Sequence, residues 1–79
     1  MGATARLTKI WKRRNELIGK TLEEVMTWLE ENDEKFKTDY VLEEYYFGCA
    51  HLTIGRYNAK PLEFCFDNNK VKNVIKKDF

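Results

Sequence analysis

The sequence predicts an α+β domain: two N-terminal helices packed on one face of a three- to four-stranded antiparallel β-meander. Two observations carry this. Apolar residues recur at helical spacing up to about residue 30, and after residue 35 the chain turns to short runs of aromatic and β-branched residues separated by turn signals. A capping signature between the two helical stretches marks where the second begins.

In the first helical stretch, Leu7, Ile10, Trp11 and Arg14 fall on one face, while Lys9, Lys12 and Arg13 lie on others. Thr4 is the expected cap, and the helix is expected to end near Asn15 and to pack by Trp11. Gly19 breaks the pattern. Thr21-Leu22-Glu23-Glu24 then reads as a capping box, with the Thr21 hydroxyl accepting from the Glu24 N–H and the Glu24 carboxylate accepting from the Thr21 N–H. Leu22, Val25, Met26 and Leu29 follow at helical spacing, Trp28 is expected at the core or its rim, and Asn32-Asp33 stops the helix.

Tyr40-Val41-Leu42, Tyr45-Tyr46-Phe47, Leu52-Thr53-Ile54, Leu62-Glu63-Phe64-Cys65-Phe66 and Val71 to Ile75 have strand composition. Gly48, Asn58-Ala59-Lys60-Pro61 and Asp67-Asn68-Asn69 are the turns between them. Cross-strand partners share a face, so Leu52 and Ile54 must pair with even-numbered residues of the next strand to join Leu62, Phe64 and Phe66. A three-residue loop at Asn58-Ala59-Lys60 sets Tyr57 against Pro61, Ile54 against Phe64, Leu52 against Phe66 and Thr53 against Cys65. Cys49, His51, Thr53, Tyr57, Glu63 and Cys65 then occupy the other face. Cys49 lies four residues from Thr53, roughly 13 Å at strand rise, so two free thiols are expected. For the first strand, a tight turn at Gly48-Cys49 puts Val41, Tyr45 and Phe47 on the buried face and Tyr40, Leu42, Glu44 and Tyr46 on the outer one. Both faces of that strand hold a Glu and aromatics, so its facing stays open.

Seventy-nine residues make one domain, divided by pattern into a basic helix over 1–16 and a helix plus meander over 17–79. A hydrophobic fraction of 43% with 14% aromatics is incompatible with a disordered tail. Residues 1–17 contain no apolar run of signal-peptide length, and no window reaches the ~18 apolar residues of a membrane span, so a cytoplasmic location is expected. The net charge of +1 conceals blocks. Residues 1–20 carry six basic groups against Glu16, residues 21–48 carry nine acids against Lys35 and Lys37, and residues 49–79 carry six basic groups against three acids.

Two cysteines without a CxxC spacing and one histidine do not make a typical zinc site, and no glycine-rich phosphate loop is present. Neither a metal nor another cofactor is expected. The expected register makes His51 and Cys65 diagonal neighbours with Asp67 opposite His51, but no oxyanion donor accompanies them, so catalysis is not expected. The expected protein-binding surface is the open sheet face with Tyr40, Tyr46, His51 and Tyr57, and with Glu23, Glu24, Glu43 and Glu44 drawing a basic partner. The alternative is nucleic-acid binding through Arg6, Lys9, Lys12, Arg13 and Arg14. The acidic block that follows them and the lack of an RNP-type aromatic pattern weigh against it. The first helix docks either on its own domain or on a neighbour's, so a homo-oligomer stays open.

The Gly19, Thr21, Val25 spacing and the run Leu62, Phe64, Phe66, Asp67, Val71 resemble the SmpA/OmlA (BamE-type) family over roughly residues 17–77. That family shares its fold with the β-lactamase-inhibitor-protein domain. The resemblance implies the fold and protein binding through a curved sheet and its loops. Where family members continue into Leu-Gly-x-Pro, Leu29 is followed here by Glu30-Glu31-Asn32-Asp33. The function expected is therefore a small non-catalytic binding module of inhibitor type, such as a toxin-immunity protein or a phage inhibitor of a host enzyme. A BamE-like assembly scaffold is the alternative.

Overall fold

A computed structural model describes residues 3–46, 48–57 and 60–77. Helix α1 spans Ala3–Lys12 and α2 spans Leu22–Asn32. Strands β1 (Tyr40–Tyr46), β2 (Cys49–Ile54), β3 (Leu62–Asp67) and β4 (Lys70–Lys76) follow. They form one antiparallel sheet in the order β1-β2-β3-β4. The α+β meander is as expected, with four strands.

Helix α1 begins at Ala3, so Thr4 lies inside its first turn and is not its cap. After Lys12 the chain tightens into a 3₁₀ turn at Arg14–Glu16, as Glu16 donates to the Arg13 carbonyl and Leu17 to that of Arg14. Leu7 and Ile10 bury α1 against the sheet. Trp11 is only half-buried, between the Arg14 guanidinium at 4.0 Å and the Lys76 ammonium at 4.9 Å. The helix docks on its own domain, since both apolar anchors lie in the same cluster as Leu52, Ile54 and Phe64.

The close approach depends on Gly55, which follows β2 with φ +74° and faces the Leu7 side chain; a Cβ there would lie 2.6 Å from Leu7 Cδ1. Helix α2 carries the capping box: Thr21 N–H donates to Glu24 Oε1 at 2.9 Å, and Glu24 N–H donates to Thr21 Oγ1 at 3.3 Å. Val25 and Leu29 are buried; Leu22, Met26 and Trp28 pack at the rim. The helix stops where Asp33 takes extended backbone.

The even-numbered set predicted to be buried is buried. The β2–β3 register is two residues away from the expected one: Ile54 opposes Leu62, Leu52 opposes Phe64, and His51 opposes Cys65. Thr53 therefore faces Glu63 rather than Cys65, and Tyr57 lies beyond the strand, not opposite Pro61. A two-residue shift conserves facing, so the hydrophobic pattern cannot distinguish the two registers. Residues 58 and 59 of the expected loop lie outside the described residues. The cysteines are free thiols, although the new register makes them diagonal neighbours rather than distant ones.

Strand β1 faces the other way from the expectation over Tyr40 to Glu44. Tyr40 pairs with Ile54, Leu42 with Leu52, and Glu44 with Ala50, so these lie on the helix side. Tyr40 stacks on Phe36 with ring centroids 4.8 Å apart. Val41 and Glu43 face outward, opposite Thr53 and His51. A bulge between Glu44 and Tyr46 then inserts one extra residue. Phe47 lies outside the described residues. The β3–β4 turn places Asn68 and Asn69 at φ 54° and 68° between the paired Asp67 and Lys70, the two-residue hairpin geometry that asparagine tolerates.

Candidate functional site

The open face of the sheet collects polar groups from every strand. Tyr45, expected inside, is outside: its ring meets His51 edge-on at 5.0 Å and its hydroxyl lies 3.3 Å from His51 Nδ1. The bulge is the cause. It puts Tyr45 and Tyr46 on the same side of an edge strand, where they are 54% and 75% exposed. Tyr46 sits opposite Cys49. Its hydrogen bond with Cys49 pushes the phenol upward, with smaller contributions from the Cys49 charge, desolvation and Asp67. The Cys49 thiol in turn donates to Asp67 Oδ1 at 3.4 Å. A shallow groove of about 380 Å³ runs past Tyr45, Tyr46, His51, Cys65 and Asn73.

At the centre lies Glu63, a carboxylate only 6% exposed on the side of the sheet that the helices leave bare. Its neighbours cover it. Lys77 Nζ donates to Glu63 Oε2 at 2.9 Å, and His51 Nδ1 stands 3.7 Å from the same oxygen. The Cys65 thiol donates to Oε1 at 3.7 Å. The hydrogen bond and charge of Glu63 hold the Lys77 ammonium above its ordinary value. Burial first, and then the Glu63 charge, push the Cys65 thiol up. That is opposite to what an activated nucleophile needs. Asp67 sits beside Cys49 and not opposite His51, so the suggested Cys–His–Asp line does not form.

The sequence-derived residues divide. Tyr46, His51 and Glu43 share the open face with Tyr45, and Glu44 lies exposed on the same strand. Tyr40 does not belong, being packed toward the core. Tyr57 is exposed but sits past the far end of β2, beneath the Arg56 guanidinium at 4.7 Å. Glu23 and Glu24 lie on the first turn of α2, in the helix layer on the opposite side of the sheet. Burial of Glu63 and the partnership of Tyr45 were not singled out in the sequence. The signal for Glu63 was present: it is a lone acid within the apolar run of β3.

The basic N-terminal set is largely engaged within the domain. Arg6 donates to Asp33 and Asp39. Burial opposes its charge, but those two carboxylates hold its pKa above the ordinary value. Arg13 bonds both oxygens of Glu16 and stacks 4.8 Å over Trp28; Arg14 bonds the Trp11 carbonyl. Lys9 and Lys12 are exposed. Together with Arg6 and Arg13 they border a groove of about 520 Å³ that also contains Trp28 and Asp33.

Among the described residues no helix is long and apolar enough to cross a membrane. No family model, curated protein or solved structure matches the chain. Most of the residues that carry the resemblance to BamE-type proteins have fold-making duties: Gly19 takes φ +86°, Thr21 caps α2, and Val25, Leu62, Phe64, Phe66 and Val71 are buried, while Asp67 is exposed at the end of β3.

Proposed function

We propose that this chain is a non-catalytic protein-binding module of inhibitor type, and that it engages its partner through the open sheet face at the β1 end. The observation that carries the reading is the adjacent, exposed pair Tyr45 and Tyr46 on an edge strand, bordered by His51 and Glu43 on the open face, with Glu44 exposed on the other side of the same strand. Paired tyrosines offer large, stiff contact area with polar tips, and such residues dominate the energetics of protein interfaces. The two neighbouring carboxylates favour a partner with a basic surface and speed its approach at low salt. A small rigid surface of this kind would suit an immunity protein against a toxin or a phage inhibitor of a host enzyme.

The test begins with a partner captured from the source cell and identified by mass spectrometry, whose affinity is then measured with purified variants. Tyr45→Ala/Tyr46→Ala is expected to keep the circular dichroism and urea midpoint of the parent while weakening binding by about 2 kcal/mol or more, the scale of an interface hot spot. Glu43→Gln/Glu44→Gln is expected chiefly to slow association and flatten its salt dependence. Full affinity in the double tyrosine variant would remove this face from the interface. A partner that is an outer-membrane assembly component would favour the BamE-like scaffold reading over inhibition.

A further inference from the structure

We propose that His51, Glu63 and Cys65 form a three-ligand site for a zinc-class transition-metal ion on the open face of the sheet. One nitrogen, one carboxylate oxygen and one sulfur lie within 4.8 Å of one another. Two of the spacings, His51 Nδ1 to Glu63 Oε2 and Cys65 Sγ to Glu63 Oε1, are each 3.7 Å. Around a tetrahedral ion with metal–nitrogen and metal–oxygen bonds near 2.0–2.2 Å and a metal–sulfur bond near 2.3 Å, neighbouring donor atoms stand on the order of 3.3–3.8 Å apart. The two short spacings run to different oxygens of Glu63, so with one oxygen as ligand the donors, which lie within 4.8 Å of one another, need side-chain rotation to draw in to that polyhedron.

Its scaffold is stiff. His51 and Cys65 are direct cross-strand partners on β2 and β3, and Glu63 is the next residue along β3 on the same face as Cys65. Donor sets on strands of a central sheet pair hold their geometry better than sets on loops. The site already holds one positive charge, the Lys77 ammonium, whose place an ion takes. Glu63 is buried, and its cation is Lys77, which lies past the end of β4. A divalent ion ligated by one thiolate and one carboxylate is electrically neutral, which suits a covered position. Binding breaks the Cys65 S–H bond, releases that proton to solvent, forms the metal–sulfur bond, and displaces the Lys77 ammonium from Glu63. The Tyr45 hydroxyl gives up its contact with His51 Nδ1. The donor set of sulfur, imidazole and carboxylate selects zinc or cobalt(II) over magnesium or calcium, which take oxygen ligands. Three protein ligands leave the fourth position open to water or to a side chain of a docked partner.

The site adjoins the tyrosine pair through His51, but it is tested without any partner, so its failure and the failure of the tyrosine-pair reading are distinguishable. The full chain, reduced and stripped of metal, is titrated with cobalt(II) alone. One equivalent is expected to bind with the near-ultraviolet sulfur-to-cobalt charge-transfer band and the visible bands of a tetrahedral ion, and zinc is expected to bleach both. Cys65→Ser is expected to abolish the charge-transfer band while Cys49→Ser keeps it. His51→Gln and Glu63→Gln are expected to weaken binding by about tenfold or more. Lys77→Met, which removes the competing cation, is expected to tighten it. Circular dichroism of each variant verifies folding, and His51→Gln, at a half-exposed position, stands in if Glu63→Gln does not fold. Absence of the charge-transfer band in the parent chain, or its persistence in Cys65→Ser, would overturn the site. Affinity unchanged in both His51→Gln and Lys77→Met would do the same.

Discussion

Gly19 and Gly55 both take positive φ, yet only one of them governs packing. Around Gly19 there is no atom within 4 Å of where a Cβ would sit, whereas at Gly55 the Leu7 side chain already fills that position. Alanine at Gly19 therefore has only the left-handed backbone to oppose it, about 1–2 kcal/mol. At Gly55 overpacking is added, for a total of about 2–4 kcal/mol. Urea denaturation of Gly19→Ala and Gly55→Ala measures the two, and Leu7→Ala placed on top of Gly55→Ala is expected to cost less than Leu7→Ala alone, because the cavity it leaves accepts the new methyl. Strict additivity of the two changes would show that Leu7 and Gly55 do not meet. The glycine itself was visible in the sequence; its neighbour was not, because Leu7 and Gly55 meet only once α1 has docked. The same applies to Glu63. Its place on the open face followed from strand parity, but its burial arises from Lys77, His51 and Cys65 closing over it from two other segments of chain and from its own strand.

At the scale of elements, helix α2 was legible down to its hydrogen bonds, because a capping box is a local device spanning four residues. Strand β1 was not. Tyr40 to Glu44 can be fitted with either face inward, and the doubled Glu43-Glu44 and Tyr45-Tyr46 break strict alternation at the point where the bulge occurs. That doubling is a signal for a bulge, and reading it so would have put both tyrosines outside. The cap gives the helix a titratable anchor. The Glu24 carboxyl is held below its ordinary value, first by the Thr21 backbone N–H and then by the Thr21 side chain. A carboxylate with a lowered folded-state pKa contributes its stability fully above the unfolded value, and loses it as the pH falls through the folded value. Thr21→Ala is expected to lower stability by about 1 kcal/mol at neutral pH. Glu24→Gln is expected to lose stability near pH 7 and to converge with the parent in acid. Thermal midpoints of both chains from about pH 7 down to about pH 3 check this. A gap that stays constant across that range would mean the carboxylate charge is not what the cap uses.

For the molecule as a whole, the sequence pattern divides at residue 16 but the packing does not. Leu7 and Ile10 of α1 belong to the same cluster as Leu17, Val25, Leu29 and the inner residues of the sheet. Arg6 reaches across to Asp33, whose side chain is fully buried, and to Asp39; Asp39 Oδ1 in turn accepts from the Arg56 N–H. The N-terminal helix thus supplies both an apolar lid and the cation for two acids. Truncating one partner of such a pair leaves a buried charge uncompensated, at a cost of about 3–5 kcal/mol. Total stability for domains is about 5–15 kcal/mol, and a chain of this length is expected near the lower end. Arg6→Met is therefore expected to leave the fold marginal. Removal of residues 1–13 takes away the guanidinium, Leu7 and Ile10 together, and is expected to abolish the cooperative urea transition followed by tryptophan fluorescence, with Trp28 as the remaining reporter. Adding the excised segment back as a peptide is expected to restore the transition in proportion to its concentration, since the docking site is built by the rest of the chain. A truncated chain that unfolds cooperatively at the parent's midpoint would make α1 an appendage. Its basic face would then be free to serve a partner of its own.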